Sequence, residues 1–142
     1  MIGSETVLIV EDERALLMLA SAILKHQGYS VVQALDGENA LAAAREHAGS
    51  IHLLLADVVL PGLKGHEVAE RVKALRPGIK VAYMSGYTDD ALERQHGFPS
   101  GVPFLQKPFT PERLVKYVRH VLDAGSGRDQ QPPSHLPARP TA

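Results

Sequence analysis

Cysteine is absent from these 142 residues, so neither a disulfide framework nor a thiolate metal centre can form. Excess charge of one sign is missing too. The 15 Lys and Arg offset 16 Asp and Glu to a formal net charge of −1, with no run of five like charges. A basic face for nucleic acid or an anionic membrane is therefore not expected. No stretch approaches the ~18 consecutive apolar residues of a membrane span. The start, Met1-Ile2-Gly3-Ser4-Glu5, lacks the charged and then apolar segments of a secretion signal. A cytoplasmic protein without a membrane partner is expected. What is present suits one globular domain: 44% apolar residues and length enough to bury a core.

The apolar pattern alternates strand and helix five times. Thr6–Val10 reads as a strand. From about Glu13 to Gln27, Leu16, Leu19, Ala20, Ile23 and Leu24 recur at helical spacing, and Gly28 stops the helix. Ser30–Ala34 is a short strand, and Asp36 caps an alanine-rich helix to about His47. Leu53–Asp57 is the central strand. The turn-rich loop Pro61-Gly62-Leu63-Lys64-Gly65 follows, then a helix over Glu67–Leu75 with Val68, Val72 and Leu75 on one face. Lys80–Ser85 is the fourth strand. Asp89–Gln95 predicts a short helix cut off by Gly97, Pro99 and Gly101. Val102–Gln106 is the fifth strand. Thr110 and Pro111 open a last helix, whose stripe of Leu114, Val115, Val118, Val121 and Leu122 runs to about Asp123.

Strands separated by helices predict an α/β protein, a doubly wound three-layer sandwich with right-handed crossovers. Residues 1–124 form this domain. Residues 125–142 carry four prolines, two glycines and one large apolar residue, Leu136, too little to repay the entropy of ordering. A disordered tail is expected there.

Three of the strand-like runs end on polar residues, and in such sheets a ligand sits beyond the carboxyl ends of the strands. Val7-Leu8-Ile9-Val10 runs into Glu11-Asp12, Leu53-Leu54-Leu55-Ala56 into Asp57, and Val102-Pro103-Phe104-Leu105-Gln106 into Lys107-Pro108. Each pair of such carboxylates about 4 Å apart repels by roughly 4 kcal/mol at an effective dielectric near 20. A fold keeps that cost where a cation offsets it, and all-oxygen ligands with a partly aqueous shell select Mg²⁺. Lys107 would bring a mobile point charge for a phosphoryl oxygen, and Ser85 a hydroxyl at the same edge. Pro108 makes the Lys107–Pro108 bond a cis candidate. The seven histidines, at 26, 47, 52, 66, 96, 120 and 135, show no metal-ligand spacing on a helix face.

Read together and in order, these residues resemble the receiver domain of two-component response regulators over about residues 5–123. The motifs are Val-Glu-Asp-Glu at 10–13, Asp-Val-Val-Leu-Pro-Gly at 57–62 with Gly65, Met-Ser-Gly-Tyr at 84–87 and Lys-Pro-Phe at 107–109. The resemblance implies a flavodoxin-like (βα)5 sandwich with parallel strand order 2-1-3-4-5. It implies that Asp57 takes phosphate from a phosphohistidine to become an aspartyl phosphate. Glu11, Asp12 and Asp57, with the backbone carbonyl of Val59, would hold Mg²⁺, for which Mn²⁺ can substitute. Lys107 and Ser85 would contact the phosphoryl group, and Ser85 and Phe104 would be the moving switch residues. Val59 and Tyr87, two residues beyond Asp57 and Ser85, would modulate attack by water. Neither orients a water well, and Tyr87 could cover the phosphate, so slow self-dephosphorylation is expected. The implied partner is a histidine kinase or a histidine-containing phosphotransfer protein.

The chain departs from the pattern between Ser85 and Phe104, where the segment is short and rich in glycine and proline. The fourth helix is expected to be stunted, which argues against the family's usual dimer surface and for a monomer or weak dimer. Tyr-Met-Ser-Gly-Tyr-Thr-Asp at 83–89 and Phe-Leu-Gln-Lys-Pro-Phe at 104–109 look most like receivers fused behind hybrid sensor histidine kinases. A stand-alone regulator and an excised hybrid-kinase receiver both fit. Other classes stay open. A phosphatase or mutase would need a second acid where Val59 stands, and a flavin-binding module would meet repulsion from Glu11-Asp12-Glu13. A non-phosphorylated interaction module with a receiver fold is the remaining alternative.

Overall fold

The structure, a computed structural model, describes residues 3–124; the tail expected at 125–142 lies outside the described residues. Strands β1 (Thr6–Val10), β2 (Ser30–Ala34), β3 (Leu53–Asp57), β4 (Lys80–Ser85) and β5 (Leu105–Gln106) form one sheet in the order β2-β1-β3-β4-β5. Every pairing is parallel. Helices α1 (Arg14–His26), α2 (Gly37–Glu46), α3 (Gly65–Leu75), α4 (Asp89–His96) and α5 (Pro111–Asp123) connect or follow them. This is the flavodoxin-like (βα)5 sandwich the sequence implies.

Alternation along β1 and β3 supplies two cores from continuous apolar runs. Val7, Ile9, Leu53 and Leu55 pack with α1 and α5, whereas Leu8, Val10, Leu54 and Ala56 pack with α2 and α3. All eight are wholly buried, and each large side chain contributes about 1.5–3 kcal/mol of transfer free energy. Burial on both sides fixes the sheet's position between the helices, and with it the level at which Glu11 and Asp57 emerge.

The helix termini follow their sequence signals. Asp36 caps α2 by accepting from the Asn39 amide at 2.8 Å, and Thr110 caps α5 by accepting from the Arg113 amide at 3.2 Å. The buried face of α1 is not quite the expected one. Leu17, Ala20, Ser21 and Leu24 face the core, while Leu19 is 52% exposed. Both sets fit a helical period, and the sheet selects the one that also seats Ser21. Its hydroxyl donates to the Leu17 carbonyl at 2.7 Å and accepts from Gln33 at 2.8 Å. Likewise α3 starts two residues before the predicted Glu67 and buries Ala69 in place of Leu75, which is 40% exposed.

The fifth strand is shorter than predicted. Only Leu105 and Gln106 join the ladder, opposite Met84 and Ser85. Pro103 has no N–H to donate, so the ladder cannot extend back to Val102. The helix before it is short as well: α4 has eight residues and ends at Gly97, whose φ of 68° is left-handed. Phe98 and Phe104, on either side of this irregular stretch, turn inward and form a third cluster with Val58 and Leu92. Phe98 meets Tyr83 edge-on at 5.1 Å and Phe104 edge-on at 6.2 Å.

Candidate functional site

Strand register brings the polar endings together. Val10 lies opposite Ala56 in the β1–β3 pair, so Glu11 and Asp57 leave the sheet side by side. Ser85 lies opposite Gln106 in the β4–β5 pair, which delivers Lys107 to the same edge, its amide donating to the Ser85 carbonyl at 2.8 Å. The Lys107–Pro108 peptide bond is cis.

Lys107 joins two acids from different strands. Its Nζ lies 2.7 Å from Glu11 Oε1 and 2.7 Å from Asp57 Oδ2. The other oxygens are held by backbone: Glu11 Oε2 accepts from the Glu13 amide at 3.0 Å, and Asp57 Oδ1 from the Val59 amide at 3.0 Å. Glu11 and Asp57 are buried, at 1% and 6% exposure. Two charge-assisted contacts each are what make such burial tolerable. Burial alone would lower the Lys107 ammonium's pKa, but its hydrogen bonds to Asp57 and Glu11, and their charges, leave it raised.

Asp12 completes the cluster from an exposed position. Ligand oxygens of Glu11, Asp12 and Asp57 lie within 4.8 Å of one another, and among the described residues this is the one such group of three potential metal ligands. Three carboxylates face one ammonium, so ionisation leaves an excess of negative charge. Asp12 registers it: its pKa is raised, first by partial burial and then by the hydrogen bond and charge of Glu11. An all-oxygen set with uncompensated charge and one open side fits a hard divalent cation.

The remaining predicted residues lie on β4 or next to β4 and β5. Ser85 is wholly buried, and its Oγ accepts from the Tyr87 amide at 2.9 Å. Phe104 is wholly buried in the third cluster. Tyr87 is 43% exposed, and its ring lies 4.8 Å from that of His96. Among the described residues no histidine joins the acidic cluster; His52 instead accepts from the Thr6 amide at 2.9 Å.

Two contributors carried weaker sequence signals. Gly65 opens α3 against the Asp57 backbone, its amide donating to the Val58 carbonyl at 2.9 Å. A glycine at the first position of a helix, where most residues serve equally well, is the hint of a close approach. Phe98 is a large apolar residue in a glycine- and proline-rich loop, and that contrast signals a buried anchor.

Comparison with known proteins places these features. The family description "Response regulator receiver domain" matches residues 7–119. The chain is 36% identical over 121 residues to the sensor kinase CckA of Brucella abortus (strain 2308), covering 85% of this chain and 13% of that protein. It is 34% identical over 119 residues to the probable transcriptional regulatory protein TcrX of Mycobacterium tuberculosis, covering 82% of this chain and 49% of that one. Among solved structures, the receiver domain from the hybrid histidine kinase CckA aligns with a TM-score of 0.69 at 36% identity. That alignment covers 83% of this chain and 99% of the other. The chain thus spans about half or less of these two curated relatives.

Proposed function

This chain belongs to the response regulator receiver domain family of two-component signalling, and from that premise we propose that Asp57 is its phosphoacceptor. The observation that carries the reading is the Lys107 ammonium held 2.7 Å from both Asp57 and Glu11, at the edge where the strands end.

In the proposed step a carboxylate oxygen of Asp57 attacks the phosphorus of a phosphohistidine. The new O–P bond forms as the P–N bond breaks, and the departing imidazole nitrogen takes up a proton from solvent. The chain's own part is positioning and charge. The Val59 amide, 3.0 Å from Asp57 Oδ1, fixes the carboxylate's rotation. Lys107 stands ready to follow the charge as it moves onto the phosphoryl oxygens. Ser85, buried beside the acceptor, offers its hydroxyl to the product. Glu11, Asp12 and Asp57, with the Val59 backbone carbonyl, would hold Mg²⁺ or Mn²⁺, which when bound supplies further neutralisation of the phosphoryl oxygens.

The partner on this reading is a histidine kinase or a histidine-containing phosphotransfer protein. CckA, a sensor kinase, is the relative that supports it. Ser85 and Phe104 form the switch that reports phosphorylation to that partner or the next. Val59 offers incoming water no polar group, which supports a long-lived phosphorylated state. No helix among the described residues is long and apolar enough to cross a membrane, which is compatible with the proposed cytoplasmic setting.

The test is intact mass after incubation with acetyl phosphate and Mg²⁺. Wild type gains one phosphoryl group; Asp57→Asn gains none, and neither does wild type treated with EDTA. A gain that survives in Asp57→Asn would sink the assignment.

A further inference from the structure

Strand β2, Ser30-Val31-Val32-Gln33-Ala34, is one margin of the sheet and pairs with β1 alone. The Ser30 amide donates to the Glu5 carbonyl at 3.0 Å, and the Ala34 carbonyl accepts from the Glu11 amide at 3.1 Å. Ser30 and Ala34 therefore turn their backbone groups toward β1, as does Val32 between them. Alternation turns those of Val31 and Gln33 outward. Among the described residues nothing pairs with these two N–H and two C=O groups. The Gln33 side chain leaves them uncovered, because it folds onto α1, 2.8 Å from Ser21 Oγ and 3.7 Å from Met18 Sδ.

This margin also lacks the devices that blunt a sheet edge. It has no charge and no proline, and its unbroken register with β1 leaves no bulge. Charge sits instead at its two ends. Lys25 lies in the last turn of α1, just before β2, and Asp36 and Glu38 lie at the start of α2, just after it.

We propose that β2 is a self-association edge. A second copy of this chain lays its own β2 antiparallel alongside, about a two-fold axis through Val32, and two five-stranded sheets become one. Val31 of one copy then faces Gln33 of the other, and each such pair exchanges two N–H···O bonds, four in all. An axis through Val31 would bring in Tyr29, whose amide already donates to the Leu24 carbonyl at 3.1 Å. An axis through Gln33 would bring in Leu35, outside the strand. The antiparallel arrangement sets the Lys25 end of one edge beside the Asp36 and Glu38 end of the other, twice over. It also brings together the two copies of Met18, each 55% exposed next to Gln33. Such a two-fold contact is closed, since it consumes both β2 edges. The carboxyl ends of the two sheets point in opposite directions, so both Asp57 sites stay open.

The test uses the full-length chain, which has no native cysteine, so each cysteine variant carries a single thiol. Val32→Cys, Val31→Cys and Lys73→Cys are incubated with glutathione disulfide, and covalent dimer is followed by intact mass. Across the proposed axis the two Cα atoms at position 32 lie about 4.5 Å apart, within disulfide reach. Those at position 31 are diagonal, about 7–8 Å apart and beyond it. Lys73, exposed on α3, gives the rate of random collision. Val32→Cys is expected to cross-link about tenfold faster than the other two. Adding Gln33→Pro removes one outward donor per copy and should cut that advantage about tenfold. Wild type supplies a readout free of any substitution. Its Val31 and Gln33 amides should exchange hydrogen more slowly as concentration rises from about 10 µM to 1 mM, while its mass by light scattering increases. Val32→Cys no faster than Lys73→Cys overturns the proposal, as does a faster Val31→Cys or amide exchange that ignores concentration. An edge that pairs only with a foreign strand leaves the purified chain monomeric, which overturns it too.

Discussion

Gly65 has no room for a side chain. A Cβ there would lie 2.2 Å from the Asp57 carbonyl oxygen and 2.8 Å from the Val58 Cα, both backbone atoms. Gly65→Ala must push α3 away from the acceptor strand. We expect it to cost about 1–3 kcal/mol, the range for overpacking a fixed site, seen as a lower urea midpoint at unchanged slope. A midpoint equal to wild type would show that α3 shifts freely and does not brace Asp57. The residue was legible as part of a motif, but not as a steric necessity, because contact with backbone distant in the chain leaves no trace in local pattern. Glu11, Asp57 and Lys107 were legible for the opposite reason. Each directly follows a strand, and a parallel sheet aligns strand ends whatever their separation in sequence.

Among the elements, the strands and helices with strong caps fell where their patterns put them, and the misses have physical causes. Pro103 truncates β5, a local effect that a continuous apolar run conceals. In α1 the apolar residues exceed one stripe, so periodicity alone could not choose between Leu17 and Leu19. The short α4 leaves its side of the sheet dependent on Phe98, which is wholly buried against Tyr83 and Phe104. Burial also pushes the Tyr83 hydroxyl pKa up to about 12, so the cluster carries no phenolate charge in the neutral range. Phe98→Ala should cost about 3–5 kcal/mol in chemical denaturation. A loss below about 1 kcal/mol would mean the loop closes over the gap, contrary to the tight-packing argument.

At the scale of the molecule, Arg119 fastens the end of the fold to its beginning. Its guanidinium grips both oxygens of Glu5 at 2.7 and 3.1 Å, reaches Asp123 at 3.0 Å, and donates to the Tyr29 hydroxyl at 3.1 Å. The Arg119 hydrogen bond is the main reason the Glu5 carboxyl pKa falls from 4.5 to about 2. A depressed carboxyl pKa stabilises the fold above the unfolded value, and that contribution disappears as pH falls through the folded one. Glu5→Gln should therefore lower stability at pH 7 by about 1 kcal/mol, kept small because the pair is solvent-screened. The difference from wild type should narrow below pH 4.5 and vanish near pH 2. Melting curves across that range check it, and a gap that stays constant with pH would assign the loss to shape and not to charge.

The stub at the β5 margin has a bearing on how these molecules meet one another. A foreign chain seeking to lengthen the sheet there finds two rungs of backbone, Leu105 and Gln106, with Pro103 and Pro108 two residues beyond either end and no N–H on either. Runaway edge-to-edge growth needs a longer template than that. On that flank, crowding can press copies together without the sheet becoming a seed for fibres.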